Sequence, residues 1–251
     1  MRRIRIRRKG KLLRWLRKPE GRRALGAFLL VFLGLWFWNR PEPPPKQVDD
    51  LCELFEEKPS WYRSARRSQD EFRISIGLQM AVLRHESGFR AKARPPRRKI
   101  LWIFPGPRLS TAFGYAQVLD STWDDYRTQT GRAGARRHRF GDAIHFAGWY
   151  LEELHHLTGV PRDGAEHLYL AYHEGPGGYR QGTWRDRPDL RRLARGIAQR
   201  AKTYQQQLEG CRSRLEMRLR LRQVGWFVLA LLLVGLSFEG LRWLLRRRPK
   251  T

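Results

Sequence analysis

Two apolar runs, each bordered by arginines and lysines, bracket a polar chain of 251 residues and restrict how it can fold. The first, residues 24–38 (ALGAFLLVFLGLWFW), follows an arm, residues 1–23, that holds twelve Lys or Arg and one Glu. As a helix it would reach about 22 Å, short of a hydrocarbon core of about 30 Å. Snorkelling of Arg22, Arg23 and Arg40, with Trp36 and Trp38 at the interface, would make up the difference. The stretch from Phe37 to Pro41 has no small-residue cleavage site, which favours an uncleaved anchor over a signal peptide. The second run, residues 224–245, is long enough at about 33 Å and is followed by a basic tail, residues 246–251. Glu239 and Arg242 interrupt it, at a spacing that lets them pair on one helix face.

With the basic arm held in the cytoplasm, both termini are expected inside and the middle of the chain outside. The arginines of a basic juxtamembrane segment, residues 212–223, run against that bias. Residues 39–47 contain Pro41, Pro43, Pro44 and Pro45 and are expected to be a stiff linker. The domain proper is expected at residues 48–211. Cys52 and Cys211, the only two cysteines, lie just inside its ends. Given that topology the favoured reading is a disulfide, the alternative being two separate buried thiols. The formal net charge of +27 calls for an anionic partner, which nucleic acid, a membrane face or an acidic polymer would each supply. No basic groove motif with interleaved aromatics and no Gly-rich phosphate loop occurs, which argues against nucleic acid and nucleotide.

Inside the domain, Phe72, Ile76, Gln79, Leu83 and Glu86 recur at spacings of 4, 3, 4 and 3, one face of a helix over residues 72–86. Glu86 thus closes a mainly apolar stripe, where burial would raise its pKa to suit a general acid. Ser87 and Gly88 end the helix. A second stripe of Ile144, Ala147, Leu151 and Leu154, with Tyr150 between, reads as core packing. A third, Leu190, Leu193, Ile197, Ala201, Tyr204 and Leu208, leads to Cys211.

Three blocks in order resemble the lysozyme-like domain of lytic transglycosylases: Glu86-Ser87-Gly88-Phe89; Phe113-Gly114-Tyr115-Ala116-Gln117 with Ser121-Thr122-Trp123; and Ala171-Tyr172-His173-Glu174-Gly175. The resemblance covers about residues 72–180. It implies an all-α, lysozyme-like helical domain, here flanked by two transmembrane helices, that cleaves the MurNAc-GlcNAc strands of peptidoglycan. It makes Glu86 the single catalytic acid/base and Tyr172 the tyrosine that supports it. Gln117, Ser87, His173 and Gly175 become glycan contacts, and no cofactor or metal is implied. The MurNAc 6-hydroxyl would attack its own anomeric carbon and leave a 1,6-anhydro end. The expected setting is the bacterial inner membrane with the domain in the periplasm. Expected partners are peptidoglycan and membrane lipid, with a secretion or conjugation apparatus as one context.

Two rival functions are a hydrolytic muramidase and a non-catalytic peptidoglycan-binding membrane scaffold. The first needs a second carboxylate, for which Asp120, Asp124 and Asp125 are candidates. Asp120 and Ser121 also suit the N-cap of a helix over residues 122–129, with Asp124 and Asp125 as first-turn charges. Residues 94–109 look like an insertion, serving as a glycan-stacking or membrane-dipping loop or as a packed hairpin. His173 stands where the family usually has Asn. Gly175 and Pro176 are expected to stop the preceding helix, and His138, His155, His156 and His167 do not form a metal-type spacing.

Overall fold

The structure, a computed structural model, describes residues 19–38, 42–100 and 104–246. Side chains of residues 20–24, 35–38, 98–100, 104–105 and 226–246 are outside that description. The chain divides into two units, residues 1–42 and 43–251.

The first unit contains α1, Pro19–Trp38, with proline at the position where a missing N–H costs nothing. Leu25, Phe28, Leu29, Leu30, Val31, Phe32 and Leu33 on it are all exposed. Among the described residues no helix is long and apolar enough to cross a membrane. The two expected transmembrane helices are therefore not found there. The first run has only 15 uncharged residues after Arg22 and Arg23, and the side chains of most of the second, including the proposed Glu239–Arg242 pair, lie outside the described residues.

The second unit is helical: α2 Leu51–Glu57, α3 Pro59–Phe72, α4 Ile76–Ser87, α5 Asp120–Gln129, α6 Phe140–Thr158, α7 Ala165–Gln181 and α8 Pro188–Arg246. The departure from the all-α expectation is an antiparallel hairpin, β1 Arg97–Ile100 and β2 Phe104–Arg108, which pairs Arg97 with Arg108 and Ile100 with Phe104. It occupies the inserted segment.

Helix α4 is the central element. Every residue from Ile76 to Leu83 is buried, so it is surrounded by protein and packs against α8, α3 and α6. It starts at Ile76 rather than Phe72. Ser75 caps it by accepting from the Leu78 N–H at 3.3 Å, while Arg73 takes a left-handed conformation (φ 60°) that ends α3. The core polar residue Gln79 is satisfied on both sides: its amide donates to Ile74 O at 2.8 Å and its carbonyl accepts from Ser68 Oγ at 2.7 Å. Ser68 lies against Gly148, where a Cβ would meet its hydroxyl at 2.2 Å. Three helices thereby meet at one point, and a methyl group there has no room.

The expected apolar stripes on α6 and α8 are buried, and Leu193 is partly so. Cys52 and Cys211 are joined by a disulfide that ties α2 to α8. Helix α8 does not pause at Cys211: Leu215 and Leu219 are also buried, and Arg214 and Arg218 pair with Glu56 at 3.0 and 3.2 Å. The entering chain is fixed where the Val48 carbonyl accepts from Arg84 and the Tyr204 hydroxyl. Asp49 beside it accepts from Arg84 at 2.7 Å and Arg200 at 3.2 Å. Helix α5 begins at Asp120, and Leu119 stands at its N-cap position without a side-chain capping bond. Asp120 is not the cap, because its carboxylate is taken by Arg137.

Candidate active site

Glu86 sits in the last turn of α4, which Gly88 terminates in the left-handed conformation (φ 58°). It lines a cleft of about 510 Å³, with its carboxyl largely enclosed by protein atoms. The side chain is half-buried by exposed surface. Burial pushes its pKa up to about 7, against a smaller lowering by the Tyr169 hydroxyl, which donates to Oε1 at 3.2 Å. A neutral carboxyl is thereby available at neutral pH, opposite a space large enough for sugar rings.

The expected support from Tyr172 is corrected: the hydroxyl on the glutamate is that of Tyr169, one turn earlier on α7. Tyr172 lines the cleft and donates to Ala116 O at 2.8 Å, bracing the loop that carries Gln117. The two rings are nearly parallel, with centroids 6.3 Å apart, and His85 packs edge-on against Tyr169. Burial, reinforced by the nearby Glu86, raises the pKa of both phenols, so both remain donors. The signal that could have identified Tyr169 was helical spacing: Tyr169, Tyr172 and His173 fall at i, i+3 and i+4 on one face.

The Gln117 loop is shaped by its glycine. Gly114 has φ 83°, and a Cβ there would meet Arg137 O at 2.2 Å. Its N–H donates to Ala93 O at 3.0 Å, and Tyr115 N–H donates to Arg137 O at 3.2 Å. Gln117 is itself left-handed (φ 46°), a strained state for a non-glycine residue. Its amide spends both donors inside the protein, on Ala93 O at 3.0 Å and Gly114 O at 2.7 Å. That leaves Oε1 without a protein partner among the described residues, an acceptor on the cleft wall.

His173 and Gly175 also line the cleft. Helix α7 does not stop at Gly175 as expected; it kinks there (φ 72°, ψ 164°), and helical structure resumes through Pro176 to Gln181. That conformation is essentially restricted to glycine. Ser87 is not part of the cleft: it is buried and donates back to Leu83 O at 3.1 Å. Asp120, Asp124 and Asp125 do not line it either. Asp120 is held by Arg137, and Asp124 pairs with Arg127 at 3.2 Å. The carboxylate that does share the cleft with Glu86 is Glu174, which sequence reasoning passed over.

The ligand atoms of Glu152, His155 and His156 fall within 4.8 Å of one another. The Glu152 carboxylate is engaged on both oxygens by Arg162, and His155 Nδ1 donates to Val160 O at 2.7 Å. Arg162 thus already engages the carboxylate that a metal ion at this cluster would use.

No curated protein and no solved structure matches the chain significantly. A family model, that of the transglycosylase SLT domain, matches residues 27–211, nearly three quarters of the chain, and these include Glu86, the Gln117 loop and the tyrosines of α7. The chain belongs to the transglycosylase SLT domain family, the peptidoglycan lytic transglycosylases.

Proposed function

We propose that the protein cleaves MurNAc-GlcNAc linkages of peptidoglycan with Glu86 as its single acid/base and leaves 1,6-anhydro-MurNAc ends. The observation that carries this is the enclosed Glu86 carboxyl on the cleft wall, whose pKa burial pushes up to about 7. As the glycosidic bond breaks, Glu86 donates its proton to the leaving oxygen. The resulting carboxylate takes the proton of the MurNAc 6-hydroxyl as that oxygen closes on the anomeric carbon. Both steps use one carboxyl and leave it reprotonated. Gln117 Oε1 and His173 suit the role of holding the strand.

A lysozyme-type hydrolysis would need a second carboxylate free to act. Glu174 is poorly suited, because Thr183, His173 and Arg187 all engage it. Mass spectrometry of muropeptides released from purified sacculi separates the two reactions. Anhydro ends are the expected product, and reducing ends would reject the proposal.

Attachment to the bacterial inner membrane, with the domain in the periplasm and both termini cytoplasmic, is supported by the basic arm ahead of residues 24–38, by the seven exposed apolar side chains of α1 and by the disulfide. Periplasmic reporter activity should appear in fusions within residues 48–211 and be absent from fusions at either terminus. Activity from a terminal fusion would refute that topology.

A further inference from the structure

Glu174 is surrounded by three hydrogen-bond donors, His173 among them. Its Oε1 accepts from His173 Nδ1 at 2.9 Å and from Arg187 at 2.8 Å, and its Oε2 accepts from the Thr183 hydroxyl. The Thr183 bond above all, with His173 and Arg187 adding to it, holds this carboxyl below its ordinary range against a smaller effect of burial. An ionised carboxylate has only lone pairs to offer, so the hydrogen shared with Nδ1 belongs to the imidazole. The neutral ring is then the Nδ1–H tautomer, and its Nε2 is a bare lone pair with no protein partner among the described residues.

The segment after α7 is folded to deliver these partners. Thr183 N–H donates to Gly178 O at 3.2 Å, and a Cβ at Gly178 would meet Thr183 Oγ1 at 3.2 Å and Glu174 Cβ at 3.3 Å. The kink at Gly175 leaves His173 and Glu174 in the last turn before the break, both on the cleft wall.

We propose that Glu174, clamped by Arg187 and Thr183, is a positioning residue that holds His173 with Nδ1–H towards itself, so that in the neutral ring Nε2 is presented as a hydrogen-bond acceptor for the glycan. The ligand group selected is an N–H or O–H donor, and the acetamido N–H of an N-acetylhexosamine meets that requirement. The proposal rests on the glycan-cleft reading above and adds a direction to one of its contacts. An amide at position 173 could turn to offer either donor or acceptor, whereas a neutral imidazole held through Nδ1–H by Glu174 offers only an acceptor.

The test uses the full-length protein in detergent, labelled with 15N at histidine, as wild type, Glu174→Ala and Glu174→Gln. Wild type should report Nδ1–H for His173, and Glu174→Ala should move the ring towards the Nε2–H form. Glu174→Gln, which keeps an acceptor, should largely restore the wild-type signal. The KM for peptidoglycan should rise about tenfold in Glu174→Ala with kcat within about twofold, the loss of one hydrogen bond. In a Glu86→Gln background, tri-N-acetylchitotriose should bind about tenfold more weakly once Glu174 is alanine, while the matched trimer with 2-O-acetyl esters in place of its acetamido groups, which has no N–H, loses nothing further. Equal losses for both trimers would support the proposal with a hydroxyl as the donor. An unchanged tautomer in Glu174→Ala, or an unchanged KM, would overturn it. Failure of both trimers to bind any variant would count against the glycan reading, and the tautomer measurement would still decide the role of Glu174.

Discussion

The Tyr169 hydroxyl donates to Glu86 Oε1 across 3.2 Å, from a ring backed by Tyr172 on one side and by His85 edge-on. Burial raises the Glu86 pKa and this bond partly offsets it, leaving it at about 7. Tyr169→Phe should therefore raise that pKa and move the alkaline limb of the pH–rate profile to higher pH. It should also slow turnover by roughly tenfold through lost orientation. A profile that keeps its position, or moves to lower pH, would disconnect Tyr169 from the catalytic carboxyl.

The raised pKa has a cost in stability with a definite sign. Folded Glu86 holds its proton up to about pH 7, whereas an unfolded glutamate releases it near its ordinary value of 4.5. Between these values the folded state binds more protons, so its stability falls as pH rises through the window. The penalty at pH 8 is on the order of 3 kcal/mol at most. Glu86→Gln should accordingly raise the melting temperature at pH 8 and change it little at pH 4. Equal shifts at both pH values would mean that Glu86 titrates normally.

The disulfide between Cys52 and Cys211, with a sequence separation of 159, closes nearly the whole second-unit core. Constraining so long a loop in the unfolded chain contributes about 5 kcal/mol in the chain-entropy picture. Cys52→Ser should lower unfolding stability by several kcal/mol and remove the sensitivity of denaturant melts to reductant. A variant as stable as wild type would place the stabilisation elsewhere.

Gly114 is required twice over, by its positive φ and by Arg137 O only 2.2 Å from where a Cβ would lie. Gly114→Ala should destabilise the protein by more than about 2 kcal/mol and displace Gln117, raising KM even in the fraction that folds. Wild-type affinity in this variant would show that the Gln117 loop is not held as described.

Glu86 was legible in the sequence because an apolar stripe at helical spacing ends on it, and the buried stripes of α6 and α8 were legible for the same reason. The start of α4 was not. Phe72 keeps the period, yet Ser75 caps the helix three residues later and Arg73 breaks the chain, a local preference that overrides the pattern. The stop expected at Gly175-Pro176 became a kink, because proline fits the first turn of the resumed helix. Ser87 follows Glu86 in the motif but turns inward to bond Leu83 O. Tyr169 and Glu174 went unseen for a different reason. Tyr169 shares a helical face with Tyr172 and His173, but the carboxyl it bonds lies 83 residues away, and the Arg187 that clamps Glu174 lies 13 residues on, so what each does shows only in the folded chain.

The central claim is that Glu86 alone supplies the acid and the base. The most direct measurement incubates full-length wild type and Glu86→Gln with purified sacculi and quantifies the released muropeptides by mass spectrometry, with matched melting curves as the control for folding. Wild type should release 1,6-anhydro-muropeptides, and folded Glu86→Gln should release at least about a thousandfold less. Comparable release from both proteins, or reducing ends in place of anhydro ends, would contradict the account.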